Sequence, residues 1–227
     1  MKIRTSWGVC SRRLKTKDKE KKKIMGTPVM IYGESGTGKS ASMRNFKKGE
    51  LSIVNVSKKL LPFKNDLPQF KSDDYEQIKK ALKGSKSKSI VIDDATYLMT
   101  NEYMRTAKVS GFQKFTDMAL HFFNLIQFII NELPEDKIVY VIGHVERDQN
   151  GNETFKTIGK LLDEKICLPG LFTIVLKSLV NDKKYLFQTN TNGQDTTKSP
   201  YGMFEQMYIE NDLKLVDNTI RAFYNIG

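Results

Sequence analysis

Short apolar, β-rich runs alternate along the chain with longer amphipathic stretches, and that alternation predicts a mainly parallel sheet with helices on its faces. The runs predict strands at Val29–Tyr32, Leu51–Val56, Ser89–Ile92, Ile138–Ile142, Leu171–Leu176 and Lys184–Gln188. Helical spacing predicts Asp73–Lys83 and Gly111–Leu133, the second stopped by Pro134, because the residue before a proline is pushed out of the helical region. The apolar stretch Leu120–Ile130 is interrupted by His121, Asn124 and Gln127. It is too short and too polar to span a bilayer and reads as a buried helix, with His121 as a structural residue.

At 227 residues the chain fits one α/β domain, 26–227, preceded by a basic extension, 1–25. The formal net charge of +11 is concentrated in that extension: Lys2–Lys23 holds ten Lys or Arg against Asp18 and Glu20, so the rest of the chain carries only +3. Such a segment can neutralise nucleic-acid phosphates, or it can serve as a solubilising arm. Trp7, the sole tryptophan, suits docking against a core or a neighbouring subunit. Lys79, Lys80, Lys83, Lys86 and Lys88 are offset by Asp73, Asp74 and Glu76 and read as a solvated helix face. Two distant cysteines, Cys10 and Cys167, with no signal-peptide pattern, point to a reducing, cytoplasmic setting rather than a disulfide framework.

The chemistry concentrates after the first strand. Gly33, Glu34, Ser35, Gly36, Thr37, Gly38, Lys39 and Ser40 match G-x-x-x-x-G-K-[ST] at every fixed position, followed by Ala41 in the helix-compatible SASMRNF. Glycines at 36 and 38 let the backbone turn its N–H groups inward on a phosphate, and a helix opening there would add its positive end. Lys39 would reach the β- and γ-phosphates of ATP, and the Ser40 hydroxyl would ligate Mg2+. A second element, SIVIDDATYL, supplies an acidic strand end. Asp93 would hold the metal; Asp94 reads either as a group aimed at the attacking water or as a helix N-cap. A third, YVIGHVERD, ends a strand at His144, at the edge where open parallel sheets place ligands, so His144 could sense the γ-phosphate.

These motifs, with the polar loop DQNGNETFKTIGK and the late segment TTKSPYGMF, resemble the small RecA-like ATP-binding proteins of phages associated with single-strand annealing and recombination. The resemblance covers about Thr27–Phe204. It implies a RecA-like P-loop NTPase core, a mainly parallel sheet flanked by helices, with ATP and Mg2+ bound, self-assembly, single-stranded DNA as a partner, and work alongside a phage recombination or replication protein. By position it assigns the DNA-facing loop to Arg147–Lys160 and a lysine reaching a neighbouring nucleotide to Lys198. One departure stands out: such enzymes carry a catalytic glutamate at the end of the second strand, where this chain has Asn55 and Ser57. Glu34 and Asp94 are the substitutes within reach. Two competitors remain open, a nucleotide-gated scaffold that hydrolyses little and a nucleoside or nucleotide kinase. The kinase would need an arginine-rich lid, for which only Arg105 and Arg147 lie in mid-chain loops.

Overall fold

The computed structural model describes residues 25–159 and 161–227; the basic extension with Trp7 and Cys10, and Lys160, lie outside the described residues. The chain is α/β, with a mostly parallel nine-stranded sheet flanked by helices. Strand β1 (Thr27–Gly33) lies at its centre, paired in parallel with β5 (Ile138–Arg147) on one side and β7 (Ile174–Asn181) on the other. Beyond β5 come β4 (Ser89–Asp93), β2 (Leu51–Asn55) and the two-residue β3 (Gln69–Phe70), all parallel. Beyond β7 the sheet turns antiparallel through β8 (Lys184–Gln188) and β9 (Tyr208–Glu210), while β6 (Glu153–Phe155) folds back on the end of β5.

The two faces of β1 seed two cores, because alternate side chains of a strand point to opposite sides. Met30 and Tyr32 face the helices α1 (Tyr75–Gly84), α2 (Thr96–Arg105) and α3 (Gln113–Glu132), whose Ile78, Leu98, Phe122 and Ile126 are fully buried against them. Val29 and Ile31 face Met43 and the helix α4 (Leu213–Tyr224) through Leu213, Val216 and Ile220. Asp74 caps α1 by accepting from Gln77 N, and Asp212 caps α4 by accepting from Lys214 N and Leu215 N, as short acidic residues do for unpaired first-turn N–H groups.

Most predicted strands and both helices fall where the hydrophobic pattern puts them. The expected strand at Leu171–Leu176 starts later, at Ile174, because Leu168–Leu171 close a 3-10 turn opened by Pro169, in which Phe172 N bonds to Pro169 O. The segment after the glycine loop, Ser40–Asn45, forms a six-residue 3-10 helix rather than the expected α-helix. Among the described residues no helix is long and apolar enough to cross a membrane.

A buried polar knot ties α4 to the sheet. Asp217 accepts from Ser89 Oγ at 2.6 Å, Tyr140 OH at 2.8 Å and Arg221 Nε at 2.9 Å, and Arg221 also donates to Asp136 O. With Asp217 only 2 % exposed, removing its carboxylate leaves the buried Tyr140 phenol without its acceptor and takes from Arg221 its carboxylate partner. Asp217→Ala is therefore expected to cost about 3–5 kcal/mol of stability, read as a lower urea midpoint at unchanged slope. A loss below about 1 kcal/mol would mean that the knot is not what holds α4.

Candidate functional site

Parallel register assembles the site. β1 ends at Gly33 opposite His144 of β5 and Ser178 of β7, while Asp93 of β4 sits opposite Asn55 of β2. The chain segments that follow these strands therefore leave the same edge of the sheet, the edge at which open α/β sheets hold ligands. The loop after Gly33 is a tight curl with Gly36 at φ 84° and Gly38 at φ 87°, values that side chains with a Cβ rarely adopt. A Cβ on Gly38 would also lie 2.9 Å from the Tyr185 ring. Ser178 supports the curl from below, its Oγ donating to Thr37 O at 2.6 Å, and Thr37 Oγ1 donates to Glu34 O at 2.8 Å.

Lys39 is 7 % exposed, and its ammonium donates to Gly33 O at 2.9 Å and Glu34 O at 2.7 Å. Burial lowers its pKa, against the opposing pull of Asp94, Asp93 and Glu34. The lysine thus lies folded along the loop that a phosphate would fill. Because the following helix is one short 3-10 segment, inward N–H groups and Lys39, rather than a long helix dipole, provide the positive lining.

Ser40 Oγ donates to Asp93 Oδ1 at 3.0 Å. Burial first, and the neighbouring Asp94 second, push the Asp93 carboxyl up to about 6, although Ser40 and Lys39 work the other way. A buried carboxylate beside a hydroxyl is a pair of hard oxygen donors, and it fits Mg2+, which takes one or two protein ligands and completes its shell with phosphate oxygens and water. Among the described residues no cluster of three or more His, Cys, Asp or Glu side chains could hold a metal without such help.

Asp94 has φ 59°, a left-handed conformation that Asp tolerates better than most residues. It does not cap α2: the cap position falls on Ala95, with no side-chain cap bond. Instead its carboxylate stands 3.7 Å from His144 Nε2 and 3.8 Å from Lys59 Nζ. Ala95 N bonds to Ile142 O at 2.7 Å and His144 N to Thr96 Oγ1 at 2.9 Å, which locks this turn to β5. Burial, then Lys39, lowers the His144 pKa, against the opposing pull of Asp94. The buried His144 Nε2 finds no hydrogen-bond partner among the described residues.

Ser35, Gly36, Gly38, Lys39, Ser40, Ala41, Asp94 and His144 line one cleft of about 1020 Å³. Glu34 points elsewhere: it pairs with Arg147 at 3.2 Å over a separate recess beside Glu153 and Lys177. Arg147 also binds Glu153, which is in turn paired with Lys177. Arg105 is held by Asp73 at 2.6 Å, and His121 sits outside the cleft, bonded to Glu102. Lys198 pairs through its backbone with Val175 and does not line the cleft.

The far wall of the cleft comes from residues with no motif to announce them: Arg44, Tyr185, Tyr208, Glu210 and Asn211. Arg44 Nη1 donates to Asn211 O at 2.6 Å and Asn211 Nδ2 to Ser178 Oγ at 3.2 Å, linking this wall to the glycine loop. Tyr185 and Tyr208 are 53 % and 42 % exposed, which leaves aromatic surface for a planar ring. The only sequence signal was an aromatic in an otherwise regular strand, KYLFQ. Comparison with protein-family models and with curated proteins returned no match.

The raised Asp93 carboxyl has a definite consequence for stability. Folded Asp93 keeps its proton to about pH 6, whereas an unfolded aspartic acid loses it near about pH 4. The folded state binds the extra proton between these values, so its stability falls as pH rises through that window. In the absence of nucleotide and metal, Asp93→Asn should be the more stable protein at pH 7.5, by up to about 3 kcal/mol, and should lack that part of the decline. Denaturant titrations of both proteins from pH 4 to 7.5 check this; an asparagine variant that is less stable at pH 7.5 contradicts it.

Proposed function

We propose that this chain is a RecA-like P-loop protein that binds ATP with Mg2+, assembles with itself, and couples nucleotide state to single-stranded DNA in phage-type recombination or replication. The observation that carries the nucleotide half is the meeting of three groups at one sheet edge: the curled glycine loop over Lys39, the Ser40–Asp93 bond, and His144 beside Asp94. The strand order supports the RecA-like assignment, since the His144 strand β5 lies between the phosphate-loop strand β1 and the acidic strand β4. The DNA and self-assembly half rests on the family resemblance.

In this reading the loop N–H groups and Lys39 bind the phosphates, while Ser40 and Asp93 hold Mg2+, which would neutralise charge on the β- and γ-phosphates. Tyr185 and Tyr208 offer a surface for the base. In this reading Asp94, which lines the cleft, orients water, whereas Glu34 pairs with Arg147 over a separate recess. Against a kinase, neither Arg105 nor Arg147 lines the cleft; the first pairs with Asp73, the second with Glu34 and Glu153.

A second reading, the nucleotide-gated scaffold, is favoured by one observation. The end of β2 offers no carboxylate, and the Nδ2 amide of Asn55 donates to Lys59 O in the following loop and to Gln69 Oε1 of β3. ATP turnover with and without single-stranded DNA separates the readings. Stimulation supports the DNA-coupled ATPase, ATP binding without turnover supports the scaffold, and a phosphorylated small-molecule product would support the kinase. Lys39→Ala should remain folded and lose ATP affinity by about tenfold or more. Parental affinity in that variant would overturn the nucleotide reading itself.

A further inference from the structure

Asn55 is 1 % exposed and stands in register with Asp93. Its Nδ2 donates to Lys59 O at 2.7 Å, and Val56 N donates to Asp93 O at 3.2 Å. The chain leaving β2 is therefore fastened to the acidic strand at its base, and it then turns sharply, with Lys58 at φ 60°. The two successive lysines part company there. The Lys58 ammonium is taken by Asp73 at 3.2 Å, on the α1 side. The Lys59 ammonium goes to the cleft, which it lines together with Lys39, Asp94 and His144. It lies 3.8 Å from Asp94 Oδ2 and 4.9 Å above the Tyr97 ring, and that ring meets His144 edge-on at 5.6 Å.

An ion pair at this distance, with 65 % of the lysine side chain exposed, is held weakly and exchanges readily for a better anion. A terminal phosphate entering beside Asp94 would face a carboxylate, and two like charges so close repel unless a cation stands between them. Lys59 is the cation already beside that carboxylate, on a backbone that the buried Asn55 keeps in place. Lys39 approaches from the loop side and Lys59 from the opposite rim.

Resting on the nucleotide reading above, we propose that Lys59 is a γ-phosphate ligand: in the triphosphate complex its ammonium shifts from Asp94 to the terminal phosphate oxygens, and the site tells nucleoside triphosphate from diphosphate through it. The shift also releases Asp94 to accept a hydrogen bond from water. Asn55 then acts as a positioning residue for Lys59, in the place where a RecA-like enzyme would carry a glutamate.

The test compares the affinities of a non-hydrolysable ATP analogue and of ADP, both with Mg2+, for the parent, Lys59→Ala, Lys59→Arg and the neighbouring control Lys58→Ala. Loss of one charge-assisted phosphate contact should weaken the triphosphate by about tenfold or more in Lys59→Ala, with ADP affinity changed less than about twofold. Lys59→Arg should keep most of the discrimination, and Lys58→Ala should match the parent. Equal losses for both nucleotides, or none, would overturn the role of Lys59 while leaving the nucleotide reading standing. A parent that binds neither nucleotide would overturn that reading and Lys59 with it. Matching thermal melts for the two alanine variants exclude misfolding as the cause of a selective loss.

Discussion

Parallel pairing of β1 with β5 and of β4 with β2 sets the relative height of the glycine loop, His144 and Asp93. Because Gly33 lies opposite His144, and Asp93 opposite Asn55, these groups reach the same edge of the sheet, although β5 itself runs on to Arg147. A slip of one residue in β5 would move His144 to the other face of the sheet, since side chains alternate with a period of two. Gly143 guards that register: a Cβ there would run into the Phe155 ring and Thr96 Oγ1 at about 2.5 Å. The buried apolar runs of β1, β4 and β5, which contribute to both cores, thus do double duty, providing stability and fixing where the chemistry sits.

The cleft itself is a place where the fold gives up stability. Lys39 and Asp93 are ionisable groups that burial drives toward their neutral forms, and Asp94 holds a left-handed backbone. Groups under such strain persist where the surrounding structure over-determines them, and the bonds from Ser178 to the loop and from Ala95 to Ile142 do that here. The Asp217 knot lies at the other end of the strands, where Ser89 opens β4, and its buried carboxylate accepts from three side chains.

Much of this was legible in the sequence. The central strands announced themselves as apolar runs, and Lys39, Ser40, Asp93 and His144 could be named from spacing because a phosphate loop and an acidic strand end leave linear signatures. What escaped depends on contacts that no local pattern encodes. The helix α4 carries apolar residues at Leu213, Val216 and Ile220 with Asp212 as its cap, but Asp217 in the buried stripe blurs that periodicity. Tyr185 reaches the cleft because β8 pairs with β7, and Tyr208 and Asn211 because β9 pairs with β8; the short β9 has no strand signature of its own. The missing glutamate at Asn55 was visible; that its amide holds Lys59 over the cleft was not, because the bond spans a turn made by a left-handed Lys58.

The central claim is that the loop Gly33–Ala41 and the strand end at Asp93 close around a nucleotide's phosphates. Amide hydrogen exchange in the presence and absence of Mg2+ and ATP tests it most directly, because inward N–H groups that acquire phosphate acceptors must slow. The account predicts added protection in peptides covering residues 33–41 and 89–95, with adenosine alone failing to reproduce it. Unchanged exchange across residues 33–41 at saturating ATP would contradict it.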